Sequence, residues 1–252
     1  MDNPLAACRM SSMEWREQGI LLSARRHGES AAIVEVLTRD HGRHLGVVRG
    51  GASKRIAPVL QPGAQLDVTW RARLEEHLGA FAVEPVRSRA AEVMTDPLAL
   101  AAMNTVLAIA SFTLPEREQV VDTYDRTLEL LEAICEGEGW LPLYVYWELH
   151  LLEALGFGLD LSRCAVSGAT NDLAYVSPRT GRAVRSADAG VWADRLLPLP
   201  QALALGRPLG LEDVQMSLAL SGYFLEHHLA PSLGQKPLPP ARQRFLDRLR
   251  KA

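Results

Sequence analysis

The chain has 252 residues, 27 Lys and Arg against 30 Asp and Glu, a formal net charge of −3 and 48% hydrophobic residues. That length supports one large core or two smaller ones, and no stretch approaches the eighteen or so uninterrupted apolar residues of a membrane span. The three cysteines, Cys8, Cys135 and Cys164, are odd in number and far apart, which argues against a disulfide framework and makes a reducing cytoplasm the expected compartment.

Residues 1–12 lack the apolar centre of a signal peptide and read as a flexible extension, with Met13 as an alternative start. Residues 13–88 read as β structure. The clearest element is 65–75, where Leu66, Val68, Trp70, Ala72 and Leu74 alternate with Asp67, Thr69, Arg71, Arg73 and Glu75, the period of a strand with one buried face. Four more strands are expected at 19–26, 30–38, 43–49 and 78–87, separated by turn residues such as His27-Gly28 and Asp40-His41-Gly42. Five short strands in about 75 residues fit a small OB-like barrel.

From residue 89 a mainly helical domain is expected. Thr95 or Asp96 can cap a helix with Pro97 at its first position and 98–112 as its buried body. A second helix is expected over 115–136, with Val121, Tyr124, Leu128, Leu131 and Cys135 on one stripe. A third, over 141–155, would end at Gly156. Residues 160–189 are polar and turn-rich with weak strand character. Helices are expected again at 211–229 and 240–251.

Charge is uneven along this order. Residues 13–88 carry eleven basic and nine acidic side chains, 89–235 nine and nineteen, and 236–252 six and one. The bases are 24 Arg to three Lys, and the guanidinium fork suits phosphate. A cationic β module on an acidic helical body points to a polyanion, with nucleic acid as the first to test.

The loop Arg49-Gly50-Gly51-Ala52-Ser53-Lys54-Arg55 combines three cations with paired glycines that can bring main-chain N–H groups to a phosphate. Arg71 and Arg73 on the polar face of the clearest strand, and Arg25, Arg26 and Arg43 at strand ends, extend the candidate surface. A solvated hairpin loop is the plainer alternative. Arg244 and Arg248, four apart on the last helix beside Phe245 and Leu249, form a second candidate, and they equally suit a helix C-terminus. No catalytic constellation is present: there is no Gly-x-Ser-x-Gly, His-Glu-x-x-His or Walker loop. His41 and His44 read as loop histidines, and His227 and His228 as facing different ways. Cys135 reads as a small core residue. Cys164-Ala165-Val166-Ser167-Gly168 has half the shape of a zinc knuckle, but one thiolate does not hold a structural zinc, and no metal or other cofactor is expected.

Several stretches resemble the bacterial RecO family: Trp15 to Leu22, Thr38-Arg39-Asp40-His41-Gly42-Arg43, Val47-Val48-Arg49-Gly50-Gly51, Leu60-Gln61-Pro62-Gly63 and Glu75-Glu76-His77-Leu78-Gly79, then Glu153-Ala154-Leu155-Gly156-Phe157-Gly158-Leu159-Asp160, Cys164 and Tyr175-Val176-Ser177-Pro178 with Gly181. The resemblance runs from about residue 13 onward and is strongest in the first domain. It implies an α+β chain: an OB-fold at 13–88, then a helical domain over 89–252 with a degenerate zinc-finger-like insertion at about 160–190. Many relatives carry four cysteines there; Cys164 alone remains. It also implies a recombination mediator in DNA repair, not an enzyme. Such a protein binds single- and double-stranded DNA, anneals strands coated with single-strand-binding protein (SSB), and works with RecR to load RecA, in the cytoplasm at the nucleoid. The SSB tail, acidic and apolar, needs an apolar pocket beside a cation. Arg117 and Arg126, flanking the Val121–Tyr124 stripe, are the candidates. Two rivals stand beside this reading: a protein-binding adaptor without DNA affinity, and a hydrolase with an unfamiliar site.

Overall fold

A computed structural model of the chain describes residues 13–74, 76–234 and 236–251, so the expected extension 1–12 and Cys8 lie outside the described residues. Two compact units emerge, one of Met1–Ala91 with Pro115–Val120, the other of Glu92–Leu114 with Val121–Ala252.

The first unit is built on β1 (Met13–His27), β2 (Ala31–Thr38), β3 (Gly42–Val48), β4 (Gln65–Ala72) and β5 (Ala80–Arg87), which close into a barrel in the order β1-β2-β3-β5-β4. Strand β1 is long enough to serve two neighbours. It pairs with β4 from Met13↔Ala72 to Ile20↔Gln65 and with β2 from Gly19↔Thr38 to His27↔Ala31. A register shift between Leu21 and Ser23 lets the strand turn this corner. A short parallel pairing of β3 with β5, Val47↔Ala80 and Val48↔Phe81, completes the ring.

The alternation read at 65–75 holds as far as β4 extends. Leu66, Val68, Trp70 and Ala72 are buried with Leu21, Val34 and Val36 in the barrel core. Leu74 lies past the end of the strand and is 48% exposed. Strand β1 starts six residues earlier than expected, because its first part carries polar Glu14, Arg16 and Gln18 on an exposed face and offers only Trp15 as an apolar marker. His44 is not a loop residue as expected: it sits in β3 and is buried.

Residues 115–120 do not begin a helix. The Arg117 backbone has φ 65, its N–H donates to the Arg43 carbonyl at 2.8 Å, and Gln119 Nε2 donates to Asp40 Oδ1 at 3.4 Å. The segment lies so close to Gly42 that a Cβ there would fall 1.8 Å from the Glu118 carbonyl oxygen. It belongs to the barrel unit, and the helix starts only at Val121.

The α-helices among the described residues are α1 (Arg89–Val93), α2 (Pro97–Thr113), α3 (Val121–Glu136), α4 (Trp140–Ala154), α5 (Ser186–Ala189), α6 (Gln201–Ala204), α7 (Leu211–Phe224), α8 (Ala230–Ser232) and α9 (Pro240–Leu249), with a π-helix, Leu225–Leu229, joining α7 to α8. Asp96 caps α2 as read, with Oδ1 accepting from the N–H groups of Leu98 at 2.8 Å and Ala99 at 3.0 Å. The buried stripe of α3 is Thr123, Tyr124, Thr127, Leu130, Leu131 and Ile134. Ile134 fills the place expected for Cys135, which is half-buried.

The turn-rich region folds as a small sheet of order β7-β6-β8, from β6 (Leu173–Val176), β7 (Ala183–Arg185) and β8 (Leu197–Pro198). A 3-10 helix, Gly190–Arg195, precedes β8. Cys164, Leu173, Val176 and Ala183 pack with Leu152, Phe224 and Leu225 of the helices, so apolar burial holds this region.

Among the described residues Arg89 and Arg242 are internal. Arg89 donates to the Gly63 carbonyl at 3.0 Å and to Gln65 Oε1 at 3.3 Å. Arg242 of α9, 4% exposed, clasps Glu148 of α4, 0% exposed, through Nε–Oε1 and Nη2–Oε2 bonds of 2.8 Å each. Its Nη2 also donates to the Leu218 carbonyl at 2.7 Å, while Glu148 accepts from Ser221 Oγ at 2.6 Å and from the Tyr144 hydroxyl at 3.2 Å. Gly222 makes room, since a Cβ there would lie 2.6 Å from Arg242 Nη1. Burial pushes the Tyr144 hydroxyl well above its ordinary pKa, and the Glu148 charge adds to it.

Candidate nucleic-acid interface

Alternation in β4 and β5 turns one set of side chains inward and leaves the other on the barrel surface. There the barrel carries an open groove of about 560 Å³, lined by Arg49, Arg71 and Arg73 together with Val48, Ile56, Thr69, Phe81 and Val83. Arg49, Lys54, Arg55 and Arg73 are exposed and have no ion pair among the described residues. Arg71 differs: Nη2 donates to Glu14 Oε1 at 2.8 Å, and that bond raises its pKa. The groove's apolar floor escaped the sequence reading, although the alternation of β5 carried a signal for it.

The glycine loop reaches the groove by another route than the one expected. The N–H of Gly51 donates to the Val48 carbonyl at 3.1 Å, that of Ala52 to Ser30 at 3.0 Å and that of Ser53 to Gly50 at 2.9 Å. These amides are engaged within the barrel, so the glycines serve a tight turn, Gly50 at φ 70 among them. What the loop offers a polyanion is its side chains.

The other sequence candidates separate. Arg25 and Arg26 are exposed at the far end of β1, opposite Ile33 and Ala32, and do not line the groove. Arg43 is largely buried and paired with Glu35, which also accepts from Ser23 Oγ at 3.1 Å. Its charge is neutralised inside the barrel surface. Arg244 and Arg248 are exposed on α9 beside Met94, Pro97, Leu100 and Ala101, away from Phe245 and Leu249, which are buried.

An aromatic cluster forms in the barrel. Trp15 stacks on His41 at 4.2 Å and on Trp70 at 5.8 Å, with His44 and Phe81 edge-on. Glu17 fixes the β2–β3 turn by accepting from the N–H groups of Arg39 at 2.8 Å and Asp40 at 2.9 Å and contacting His41 Nδ1 at 2.8 Å. Burial lowers the His44 pKa to about 4, against a raising backbone bond from His41, and the Arg117 charge adds to the lowering. Arg117 sits over Trp70 at 5.7 Å and donates to the His77 carbonyl at 2.8 Å. It therefore does not flank the α3 stripe, as the sequence reading had it.

Arg126 does stand on α3, exposed, at an open cavity of about 530 Å³ that also contains Tyr146, Leu149, Leu159 and Leu161. An apolar wall beside a cation is present there. Burial lowers the pKa of His150 in the same cavity, and the Arg126 charge adds to that.

The knuckle-like loop closes around Cys164, which is 1% exposed. The N–H groups of Arg185 and Val166 donate to its Sγ at 3.3 and 3.4 Å, and Asp188 Oδ2 lies 3.3 Å away. Burial pushes the thiol pKa up, but the Arg185 amide and the contacts with Ser167 and Val166 outweigh it and bring it below the ordinary value. Among the described residues no group of three or more His, Cys, Asp or Glu is placed to hold a metal. One thiol, one hydroxyl and one carboxylate do not fit a structural zinc.

Two family models match the chain: Recombination protein O N terminal over residues 10–89, and Recombination protein O C terminal over 94–237. The chain is 61% identical over 240 residues to the DNA repair protein RecO of Dinoroseobacter shibae, covering 95% of this chain and 99% of that one. It is 58% identical over 240 residues to the protein of that name from Cereibacter sphaeroides, covering 95% and 100%. Against its namesake in Roseobacter denitrificans it is 59% identical over 238 residues, covering 93% and 98%.

Proposed function

The chain belongs to the RecO family of DNA repair and recombination proteins, and from that premise we propose that it is a DNA-binding recombination mediator whose barrel groove tracks the phosphate backbone. One observation carries this reading. Arg49, Arg71 and Arg73 converge on one groove, and Lys54 and Arg55 stand on the loop that supplies its wall residue Ile56. Exposed guanidinium groups along an apolar floor bind phosphate and accept any base sequence. The same surface serves single and double strands, because phosphate is common to both. Bringing two complementary strands to it favours annealing, and with RecR the protein loads RecA on SSB-coated DNA, in the cytoplasm at the nucleoid. No bond chemistry is involved.

The cavity at Arg126 is the proposed seat of the SSB tail, its guanidinium meeting the acidic residues and Tyr146 and Leu149 the apolar ones. An Arg126→Glu variant is expected to lose affinity for the tail peptide; unchanged affinity removes Arg126 from the site.

The decisive experiment on the groove is a salt titration of oligonucleotide binding by a Lys54→Glu/Arg55→Glu variant. Each lost contact with single-stranded DNA lowers the salt slope by about 0.7. Binding and annealing fall together for all sequences, while the thermal midpoint stays near that of the parent because both residues are exposed. An unchanged slope in the folded variant places the DNA elsewhere, with Arg244 and Arg248 next in line.

A further inference from the structure

We propose that Trp192 is a stacking platform for unpaired nucleobases, with Arg195 beside it to meet the adjoining phosphate. This rests on the reading of the protein as DNA-binding and adds a contact that the barrel groove does not supply.

Trp192 is 59% exposed and its neighbour Val191 is 89% exposed. An indole left this open in a folded unit is unusual, since aromatic side chains carry a large hydrophobic payload. It is not the tip of a loose loop. The 3-10 helix Gly190–Arg195 that bears it is anchored on both sides: Ala189 is buried before it, and Ala193, Leu196 and Leu197 pack against the same apolar cluster. The Leu196 N–H closes the helix on the Ala193 carbonyl at 3.1 Å. The guanidinium carbon of Arg195 lies 5.2 Å from the Trp192 ring centroid. That cation–π contact steadies the indole while leaving more than half of the residue open. The platform is therefore organised before any ligand arrives.

Charge selects the occupant. Residues 160–196 carry five Arg against four acidic residues, whereas the rest of 89–235 carries four basic against fifteen acidic ones. Across this acidic stretch, the segment bearing Trp192 is the part that does not repel a polyanion. A protein hot spot centred on Trp is ordinarily ringed by further apolar contacts that exclude water. Here Val191 is the one large apolar side chain exposed next to Trp192 in the chain, while Gly190, Asp194 and the cation of Arg195 share that surface. A flat ring beside a cation is instead the pairing that binds single strands without regard to sequence: the ring takes a base, the cation a phosphate.

The test uses the full chain and a thymidine oligonucleotide, as single strand and as duplex. Trp70, Trp140 and Trp147 are buried and Trp15 is half-buried, so Trp192 is the indole most open to a bound base. Single-stranded DNA is expected to quench the emission, and Trp192→Phe to remove most of that quenching. Trp192→Ala should weaken single-strand binding about tenfold, Trp192→Phe should restore part of it, and duplex affinity should stay unchanged because paired bases are already stacked. Single-strand affinity unchanged in Trp192→Ala but reduced by the Lys54→Glu/Arg55→Glu pair overturns the platform and leaves the groove standing. An equal fall for single strand and duplex also overturns it. So does a loss confined to binding SSB, which would make Trp192 a protein contact. A parent chain that binds no oligonucleotide overturns the DNA-binding reading and the platform with it.

Discussion

In the barrel unit Arg49, Lys54, Arg55 and Arg73 stand in solvent with no ion pair among the described residues, whereas in the helical unit Arg242 is enclosed and held by both oxygens of Glu148. A basic side chain thus does two unrelated jobs. In the barrel its charge is available to a ligand; in the helical unit its charge is cancelled and its geometry joins α9 to α4 and α7. The net charge of −3 reports neither arrangement. For recognition of a polyanion, what counts is how many cations lack partners and converge on one groove.

The comparison breaks first at Arg242. Arg242→Met leaves Glu148 buried without its counter-ion, and is expected to cost about 3–5 kcal/mol in chemical denaturation. Pairing it with Glu148→Leu should recover much of that loss, because a buried ion pair replaced by apolar groups is often near neutral. A single variant as stable as its parent would mean that the pair does not hold the helices.

Next comes acid, which tests the barrel instead. His44 has a folded pKa of about 4, depressed chiefly by burial, against an ordinary value near 6.5. Its folded form binds fewer protons than its unfolded form, so its contribution is fully present above about pH 6.5 and is lost as pH falls toward 4. The loss amounts to about 3 kcal/mol. Denaturation midpoints measured across that window should decline for the parent and flatten for His44→Phe.

A smaller effect separates paired from free arginine within the barrel. Arg43→Ala deprives buried Glu35 of its cation and should cost about 2 kcal/mol of stability, with little change in the salt slope of DNA binding. Arg73→Ala should do the reverse, leaving stability intact and lowering the slope by about 0.7. If both variants behave alike, the distinction between the two kinds of arginine fails. The smallest expected effect is none: exhaustive chelation should leave the thermal midpoint in place, since Cys164 is held by amide donors and apolar packing. Stoichiometric zinc, with unfolding on its removal, is the contrary result.

What could be read from the sequence follows the reach of each interaction. The core face of β4 and the Asp96 cap of α2 were legible because alternation and capping are local patterns. So was part of the set of cations near the groove, since Arg71 on β4 and Arg73, one residue past its end, lie two apart in the sequence. Three features were not legible, and each joins distant parts of the chain. Arg242 finds Glu148 across 94 residues, and Arg89 finds Gln65 across 24. Residues 115–120 carry a helix-compatible composition, yet they close on Arg43 and Gly42 of the barrel. Tertiary contacts override local propensity at such points. The Arg126 cavity was half legible: the cation was visible on its helix, but the leucines of 159–161 that complete the wall come from beyond α4.

The separation of Glu148 from Arg242 also sets a schedule during synthesis. A ribosome adding roughly 5–20 residues each second makes the carboxylate about 5–20 s before its guanidinium partner exists. During that interval the barrel strands, all encoded before residue 88, have what they need to pair, while α4 cannot bury Glu148 at its final depth. The nascent chain therefore emerges with a finished head and an unfinished body, and the face of α2 on which α9 packs stays uncovered until α9 is made.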